Sequence, residues 1–591
     1  MTIQQIRSLL VPASAALCLL ASMVIGVYIH DAANPMMMLP IAILGCWVLM
    51  SGRLLKVSLQ DGALLGLMLL WLFWGISGIF SEYPFNSKVT WIIMGVLPVS
   101  YLFWRTANFD ERWIKGICGL FIAGGVALAI WAILQVTLYK ATAKWSGRAD
   151  HPYADPNMLG VHLSLTLLPI IPLIIKPVTA RPVRILLTVS ALILIAGMFA
   201  TYSRSAMVGT AAGAGLILLL MRNQIIWTRN KLIALAVTIA AGVAAFIASG
   251  MAARFIRITW EGGDPDVNGR LSLWKTAFEM SMNRPLTGYG FGTFSSYYPM
   301  FREKADATSA GWWVHMDPLQ WAVESGWQTP LVFYLIVAYV VVRVWQDHKA
   351  RTLTAVQAGC AAGLLSLFLN AHSSYPMHVA AFMIMATGMM VALLPVPAVA
   401  TSTKRHYVFA LSILAALTVI CWSGIKTGAT LYLWQDIGKA RAMQDEGRYK
   451  SSLITCIERG DPQFAYCKFT MIEMMLGSSL RDDAKFKALI EESRKNNPYL
   501  PQPDFYMGSY YLKGGEAQLG RAIESFEQAI QKNPTFWPAR KSLVTALRQS
   551  GRLFDALKVL QKGSDYPVPR SEVSFYNQTY KELRLDVYGK E

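Results

Sequence analysis

Charge is scarce in this sequence. Of 591 residues only 15% are Asp, Glu, Lys or Arg, and 36 acidic residues stand against 54 basic ones. A soluble chain carries roughly 25% charged residues, so an ordinary soluble protein over the whole length is excluded. Cysteine is sparse too, at seven, and five of these lie in apolar runs and read as packing residues. The shortage of charge is uneven. From position 7 to about 427, apolar runs of about 20 residues follow one another, each long enough to cross a hydrocarbon core of about 30 Å. From about 435 to 591 the runs stop and charges become dense. The predicted fold is all-α: a polytopic membrane domain over 1–430, with roughly 12–13 transmembrane helices, and a soluble helical-repeat domain over 431–591. The first run, 9–28, has no clear cleavage site after it and predicts a retained span rather than a removed signal.

The predicted spans are 9–29, 35–51, 62–80, 88–104, 115–139, 158–175, 183–202, 205–221, 231–250, 327–346, 353–370, 377–395 and 407–426. Basic residues fall in alternate connections, such as Arg53 and Lys56, Arg112 and Lys115, Arg181 and Arg184, and Lys349 and Arg351. The loops between them, "HDAANP", "SEYPFNSK" and "NAHSSYPM", are nearly free of Lys and Arg. Basic loops stay cytoplasmic. The expected topology therefore has a cytoplasmic N-terminus, with the long 251–316 loop and the C-terminal domain outside, in the periplasm if the membrane is a bacterial inner membrane. The net charge of +18 is then partly a topology signal rather than a mark of nucleic-acid binding. In an oxidising compartment Cys456 and Cys467 can pair.

Two segments of the tail, "AIESFEQAIQKNP" and "GRLFDALKVLQKG", place Ala522 and Ala556 34 residues apart, each followed by apolar residues at helical spacing. That period resembles tetratricopeptide repeats, whose stacked hairpins form a concave surface. Such a domain serves either as a capping scaffold or as a docking groove for envelope-assembly proteins.

The polar chemistry gathers on one side. Five of the eight histidines lie on the expected outside: His30, His151, His315, His372 and His378. His162 falls just inside a span. In the long loop, 271–282 has helical periodicity with Trp274 and Phe278 on one side, and is expected to lie along the membrane interface. "GYGFG" is not a dinucleotide loop, because no strand precedes it. Asp264 and Asp266 in "DPD" read as a turn rather than a metal site. Arg204 in "TYSRSAMVG" stands at a span boundary, where an arginine is costly and functional by default. Arg270 opens the interfacial helix. Two guanidinium groups on one face suit a diphosphate, each offering paired donors to its oxygens.

An ordered set of motifs follows from this pass: "ADPNMLG" (154–160), "TYSRSAMVG" (201–209), "GRLSLWKTAFEMSMNRPLTGYGFGTF" (269–294), "VHMDPLQWAVESGW" (314–327) and "NAHSSYPMHVA" (370–380). The set resembles the O-antigen ligase and polymerase superfamily, which includes lipopolysaccharide O-antigen ligases, Wzy-type polysaccharide polymerases and protein O-oligosaccharyltransferases. The resemblance implies an inverting membrane glycosyltransferase that takes a glycan from a polyprenyl (undecaprenyl) diphosphate and requires no metal or cofactor. In it, His315 is the general base on an acceptor hydroxyl, and Arg204 and Arg270 hold the diphosphate. Histidine titrates near neutrality and suits that proton transfer.

The chain departs from the family pattern after the histidine, where many members have Asn and this chain has "HMDPLQ". Asp317 either orients His315 or caps the helix starting at Pro318. Gln320 belongs to the same motif. Asp155 and Asn157 bind sugar hydroxyls or close their loop by turn chemistry, and Tyr375 and His378 are candidates for the same cavity. Repeat-unit polymerisation in exopolysaccharide or O-antigen synthesis is the expected role. Ligation to lipid A-core or transfer to protein are the alternatives, so the acceptor is a glycan, lipid A-core or a protein. A polyprenyl-glycan transporter or an assembly scaffold is the reading from another class; a transporter predicts matching halves and polar residues in mid-span, and neither is seen.

Overall fold

The computed structural model describes residues 3–28, 35–51, 61–107, 109–138, 147–176, 179–225, 229–248, 250, 252–253, 256, 265–302, 311–395, 404–477, 482–566, 568–569 and 571–589. Among them there is helix and no strand. Among the described residues nine helices are long and apolar enough to cross a membrane, and three shorter apolar ones are Pro35–Met50, Ala355–Ala371 and Ala380–Leu393. With Arg229–Ala248, every predicted run coincides with a helix. The chain is a multi-pass membrane protein.

Two spans form the middle of the bundle. Pro84–Ala107 is broken at Gly95 into Pro84–Met94 and Val96–Ala107. A Cβ at Gly95 would lie 2.5 Å from Ile41 Cδ1, so only glycine lets Pro35–Met50 come this close. Pro156–Ile175 is the other central span. It packs against Arg204–Met221 and Ala355–Ala371 through small residues. A Cβ at Gly160 would meet Ala206 Cβ at 2.7 Å, one at Gly213 would meet Leu168 Cδ1 at 2.7 Å, and one at Gly359 would meet Pro169 Cα at 2.7 Å. Lipid tails are as apolar as leucine, so close backbone approach and interhelical hydrogen bonds must hold such helices together. Here Ser164 Oγ lies 2.8 Å from both Ser366 Oγ and Thr210 Oγ1, joining all three.

At the end of the bundle away from the motif residues, Asp61 caps Gly62–Ile79 by accepting from Leu64 N–H. Its carboxylate also accepts from Tyr101 Oη at 2.9 Å and from Arg105 Nε at 3.0 Å. Arg105 donates onward to the carbonyls of Leu394 and Pro395. Both charged side chains are nearly buried, at 6% and 5% exposed, as charges inside a membrane protein must be when they are paired.

The last span continues as one helix, Lys404–Ala442, so residue 430, where the domain limit is expected, lies inside a continuous helix. Eight shorter helices follow, from Glu446–Arg459 to Val573–Tyr588. Ala522 and Ala556 are both fully buried, where a larger side chain would force paired helices apart. Cys456 and Cys467 are joined in a disulfide. The loop they bracket carries Asp461 and Gln463, which both bind Lys88 of the Pro84–Met94 helix. Phe464 packs on Phe85 at 4.8 Å. The tail is thus fastened to the motif-bearing end of the bundle.

Removal of the Arg105 side chain would leave the Asp61 carboxylate buried without a cation. Breaking a buried pair this way costs about 3–5 kcal/mol. Arg105→Ala is therefore expected to lower the melting temperature of the detergent-extracted protein sharply, with Arg105→Lys intermediate; an unchanged melting curve would refute the ion pair as a fold determinant.

Candidate active site

The site is assembled where five chain segments meet. The first is the turn ending in Asp155, which caps Pro156–Ile175: Asp155 Oδ1 accepts from Asn157 N–H at 2.7 Å, and Pro156 takes the first helical position, where no N–H is needed. The second is Thr201–Arg204. Ser203 caps Arg204–Met221 and donates from Oγ to Asn157 Oδ1 at 2.9 Å. Arg148 reaches the same Asn157 oxygen at 3.4 Å and donates to Thr201 O at 3.0 Å. Asn157 is thereby a splice between two helix N-termini, and Arg204 stands directly after it in the second.

The third segment is the helix Pro265–Asn283. Its buried face is Leu273, Ala277 and Met280, while Leu271, Phe278 and Met282 are exposed. Trp274 and Phe278, one helical turn apart, lie on the same side as expected: Trp274 is half-buried and donates from Nε1 to Val314 O at 2.9 Å, and the more exposed Phe278 meets Trp327 edge-on at 6.1 Å. Arg270, expected to open this helix, lies in its second turn, and it donates to Ser373 O at 3.0 Å.

The fourth segment is 311–325 and the fifth is 370–379. His315 has a left-handed backbone, φ +57°, unusual for a residue with a Cβ. Its neighbours hold it there. Val314 N–H donates to Gln320 Oε1 at 3.1 Å, and Val314 O accepts from Trp274. Tyr202 and Ala154, which precede the Ser203–Arg204 and Asp155 segments, also have positive φ, +49° and +54°. Non-glycine residues in this region cost of order 1–3 kcal/mol each and persist where surroundings over-determine them. All three border the candidate residues.

Asp317 has a role other than either expected one. The cap position belongs to Met316, which makes no side-chain cap. Asp317 is the first residue of the helix Asp317–Ser325 and is fully buried; it accepts from His378 Nδ1 at 2.8 Å and from Met377 N–H at 3.0 Å. It orients His378, not His315. Gln320 and Glu324 continue the same buried face. Gln320 Nε2 donates to Glu324 Oε1, and Glu324 accepts from Gly292 N–H and Phe294 N–H at 2.9 and 3.1 Å. Burial raises the carboxyl pKa of both Asp317 and Glu324, against the lowering pull of their donors. Gln320 and Asp317 are saturated by protein and have no surface left for a sugar.

The "GYGFG" loop is a packing device. Gly288, Gly290 and Gly292 all have positive φ, and a Cβ on any of them would lie 2.2–2.4 Å from Glu324 backbone, Ser81 or Thr90. Only glycines let this loop close on the helix that follows His315.

Side chains with open surface gather around Tyr375. Its hydroxyl donates to Asp155 Oδ2 at 2.8 Å, its ring stacks on Trp313 at 5.0 Å, and His315 meets it edge-on at 5.4 Å. Burial, helped by the Asp155 carboxylate, raises the Tyr375 pKa well above 10, so it stays a donor. The His315 pKa is lowered to about 4, first by burial, then by the Arg270 guanidinium; Asp155 acts in the opposite direction. His315 is therefore neutral at pH 7, and its Nδ1 is buried with no hydrogen-bond partner among the described residues. A neutral imidazole beside a guanidinium can accept a proton next to a bound anion.

Residues 189–334 match the family model described as O-Antigen ligase. Over that segment the chain is similar to the O-antigen ligase/polymerase superfamily. No curated protein and no solved structure matches the chain. The matched segment contains Arg204, Arg270, His315, Asp317 and Gln320, and the match supports a membrane protein of ligase or polymerase type. Asp155, Asn157, Tyr375 and His378 lie outside the match and join the site only through the fold.

Of the remaining expected polar residues, His372 bonds Tyr334 Oη at 2.8 Å and Phe368 O, away from His315. His30, Asp264 and the side chain of Asp266 lie outside the described residues. Sequence reading missed Glu324, Trp274, Trp313, Ser203 and Arg148. Glu324 had a signal, an acid seven residues after Asp317 on the same helical face.

Loss of the Asp317 carboxylate would strand two buried donors. Asp317→Ala is expected to destabilise the protein by about 2–5 kcal/mol, seen as a lower melting temperature in detergent. Tyr375→Phe, which removes one hydroxyl, is expected to cost no more than about 1–2 kcal/mol.

Proposed function

We propose that this protein transfers glycan from a polyprenyl diphosphate to an acceptor hydroxyl at the extracytoplasmic face of a bacterial inner membrane, and that it works as a polysaccharide polymerase. The observation that carries this reading is the convergence of a neutral His315, the Arg270 guanidinium and the Asp155–Tyr375 pair at one end of the spans. Beneath it lies an apolar slot of about 400 Å³ that runs from Ala371 and Met377 to Trp345. An isoprenoid chain requires an apolar path in the bilayer, and its diphosphate requires cations where that path ends.

The chemistry follows from these roles. Arg270, with Arg204 at the adjoining helix start, pairs with the diphosphate oxygens and stabilises the negative charge that grows as the leaving group departs. The acceptor oxygen attacks the anomeric carbon from the opposite side, forming the new C–O bond while the bond to the diphosphate breaks. The configuration inverts. His315 takes the hydroxyl proton, worth typically 10²–10⁴-fold. Tyr375 and Asp155 bind sugar hydroxyls beside it. No step calls for a metal.

In cells lacking the native copy, His315→Ala is expected to reach the membrane at normal levels but to make no polymer, with lipid-linked repeat units accumulating. Normal product from this variant would remove His315 as the base and bring forward the transporter or scaffold reading. A second test is pH. A base with its pKa lowered to about 4 stays competent above that value and is lost as pH falls through it. Transfer by isolated membranes is expected to persist at pH 5–6, where an unshifted histidine, with a pKa near 6.5, would already be mostly protonated. A loss centred near pH 6.5 would contradict the site's electrostatics.

A further inference from the structure

The charged tail divides into two parts. The helices from Leu519 onward pack on one another through an apolar cluster of their own, which among the described residues includes none from the spans. The proximal part differs. Leu453, Cys456, Phe464 and Cys467 belong to the same buried cluster as the spans. A domain that merely hung from the last span would need no such mixing.

The loop 461–464, bracketed by the Cys456–Cys467 disulfide, is held from three sides. Asp461 N–H donates to Thr430 Oγ1 of the last span at 2.8 Å. Asn497 Nδ2 donates to Gln463 O at 3.1 Å. Lys88 of the Pro84–Met94 helix donates to the Asp461 carboxylate and to Gln463 Oε1. The Asp461 side chain is only 4% exposed, and a carboxylate so buried needs its cation.

Two routes lead from this loop to the segment that carries His315. Three residues after Asn497, the partly buried Leu500 packs against two clusters at once: the tail cluster of Phe469 and Ile490, and the site cluster of Leu273, Val314 and Leu319. Leu273 stands three residues after Arg270, and Val314 directly precedes His315. The other route runs along the Pro84–Met94 helix. Its Thr90 is the residue on which Gly292 closes, and Gly292 N–H donates to Glu324. Glu324 accepts from Gln320, which in turn holds Val314 N–H. Neither Lys88 nor Leu500 belongs to the transfer site described above.

We propose that the proximal tail is a positioning element of the transfer reaction: Lys88 and Leu500, clamped by the 461–464 loop, hold the 311–325 segment so that His315 keeps its place beside Arg270. The inference rests on the reading of His315 as the base and adds the residues that fix where it stands. Reacting groups must be held within about 0.5 Å of the productive geometry by packed supports, and a displacement near 1 Å costs about 10²-fold in rate.

The test uses the full chain in phospholipid nanodiscs and reads amide hydrogen exchange over 311–325. Lys88→Ala and Leu500→Ala are each expected to speed exchange there by about tenfold and to leave the distal helices, 519–588, unchanged. Lys88→Arg, which keeps the cation, and Phe554→Ala, on the exposed surface of the distal part, should match the parent chain. In isolated membranes that carry the native lipid-linked glycan, the Lys88→Ala and Leu500→Ala variants should transfer about tenfold to a hundredfold more slowly. Their pH profile supplies a readout that loss of folded protein would not move. His315 faces Arg270, Asp155 and Tyr375, and burial is the first cause of its lowered pKa. A loosened base gains water and its pKa rises, so as pH falls transfer is lost at a higher pH than in the parent. Unchanged exchange over 311–325 overturns the proposal, as does exchange speeded equally over the whole bundle. If His315→Ala abolishes product while both variants transfer at the parent's rate and with its pH profile, the positioning inference fails and the transfer reading stands. If His315→Ala still makes product, the transfer reading falls and the positioning role falls with it, however exchange over 311–325 responds.

Discussion

The close approach of three helices, Pro156–Ile175, Arg204–Met221 and Ala355–Ala371, is the constraint on which the rest depends. Nothing apolar distinguishes a helix neighbour from lipid in a bilayer, so the contact has to come from missing side chains and from polar groups that find no water. Gly160, Gly213 and Gly359 provide the first, and the Ser164–Ser366–Thr210 hydroxyls the second. The ends of these helices are the site. Asp155 starts one, Arg204 starts another, and the third runs into Ser373, Tyr375 and His378. A shift of any one along its axis would part Asn157 from Ser203 and Tyr375 from Asp155.

The second layer of support is the short buried helix Asp317–Ser325. Its polar face has no access to substrate, and its purpose is positional. Asp317 reaches across to His378 and Met377, Gln320 holds the peptide before His315, and Glu324 gathers the glycine loop. The Asp317, Gln320 and Glu324 side chains are each held by protein partners, which makes this part of the network rigid rather than merely costly. His315 inherits its strained backbone and its place beside Arg270 from this scaffold. The same crowding keeps it neutral, so the base and the guanidinium coexist without competing for one proton.

The tail adds a lid-side anchor to this arrangement. Lys88 is held by Asp461 and Gln463, on a loop bracketed by the Cys456–Cys467 disulfide, and Leu500 packs on the cluster that contains Tyr83, Leu273 and Val314. Val314 is the residue before His315. The repeat-like tail therefore packs on the apolar cluster to which Val314 belongs.

Hydropathy alone determined the all-α membrane fold, the positions of the spans and the break to a charged tail, because run length and charge density report burial in lipid residue by residue. The motif set singled out Arg204, Arg270 and His315 through their resemblance to the family's pattern. The sequence did not reveal that Asp317 serves His378, that Gln320 and Glu324 face inward, or that "GYGFG" packs on Glu324. Asp317 and His378 are 61 positions apart, and Gly292 and Glu324 are 32; periodicity carries no information over such distances. Only the packing of helix on helix decides which polar groups meet, because a hydrogen bond needs its partners within about 3 Å, and the sequence states only that each must find one.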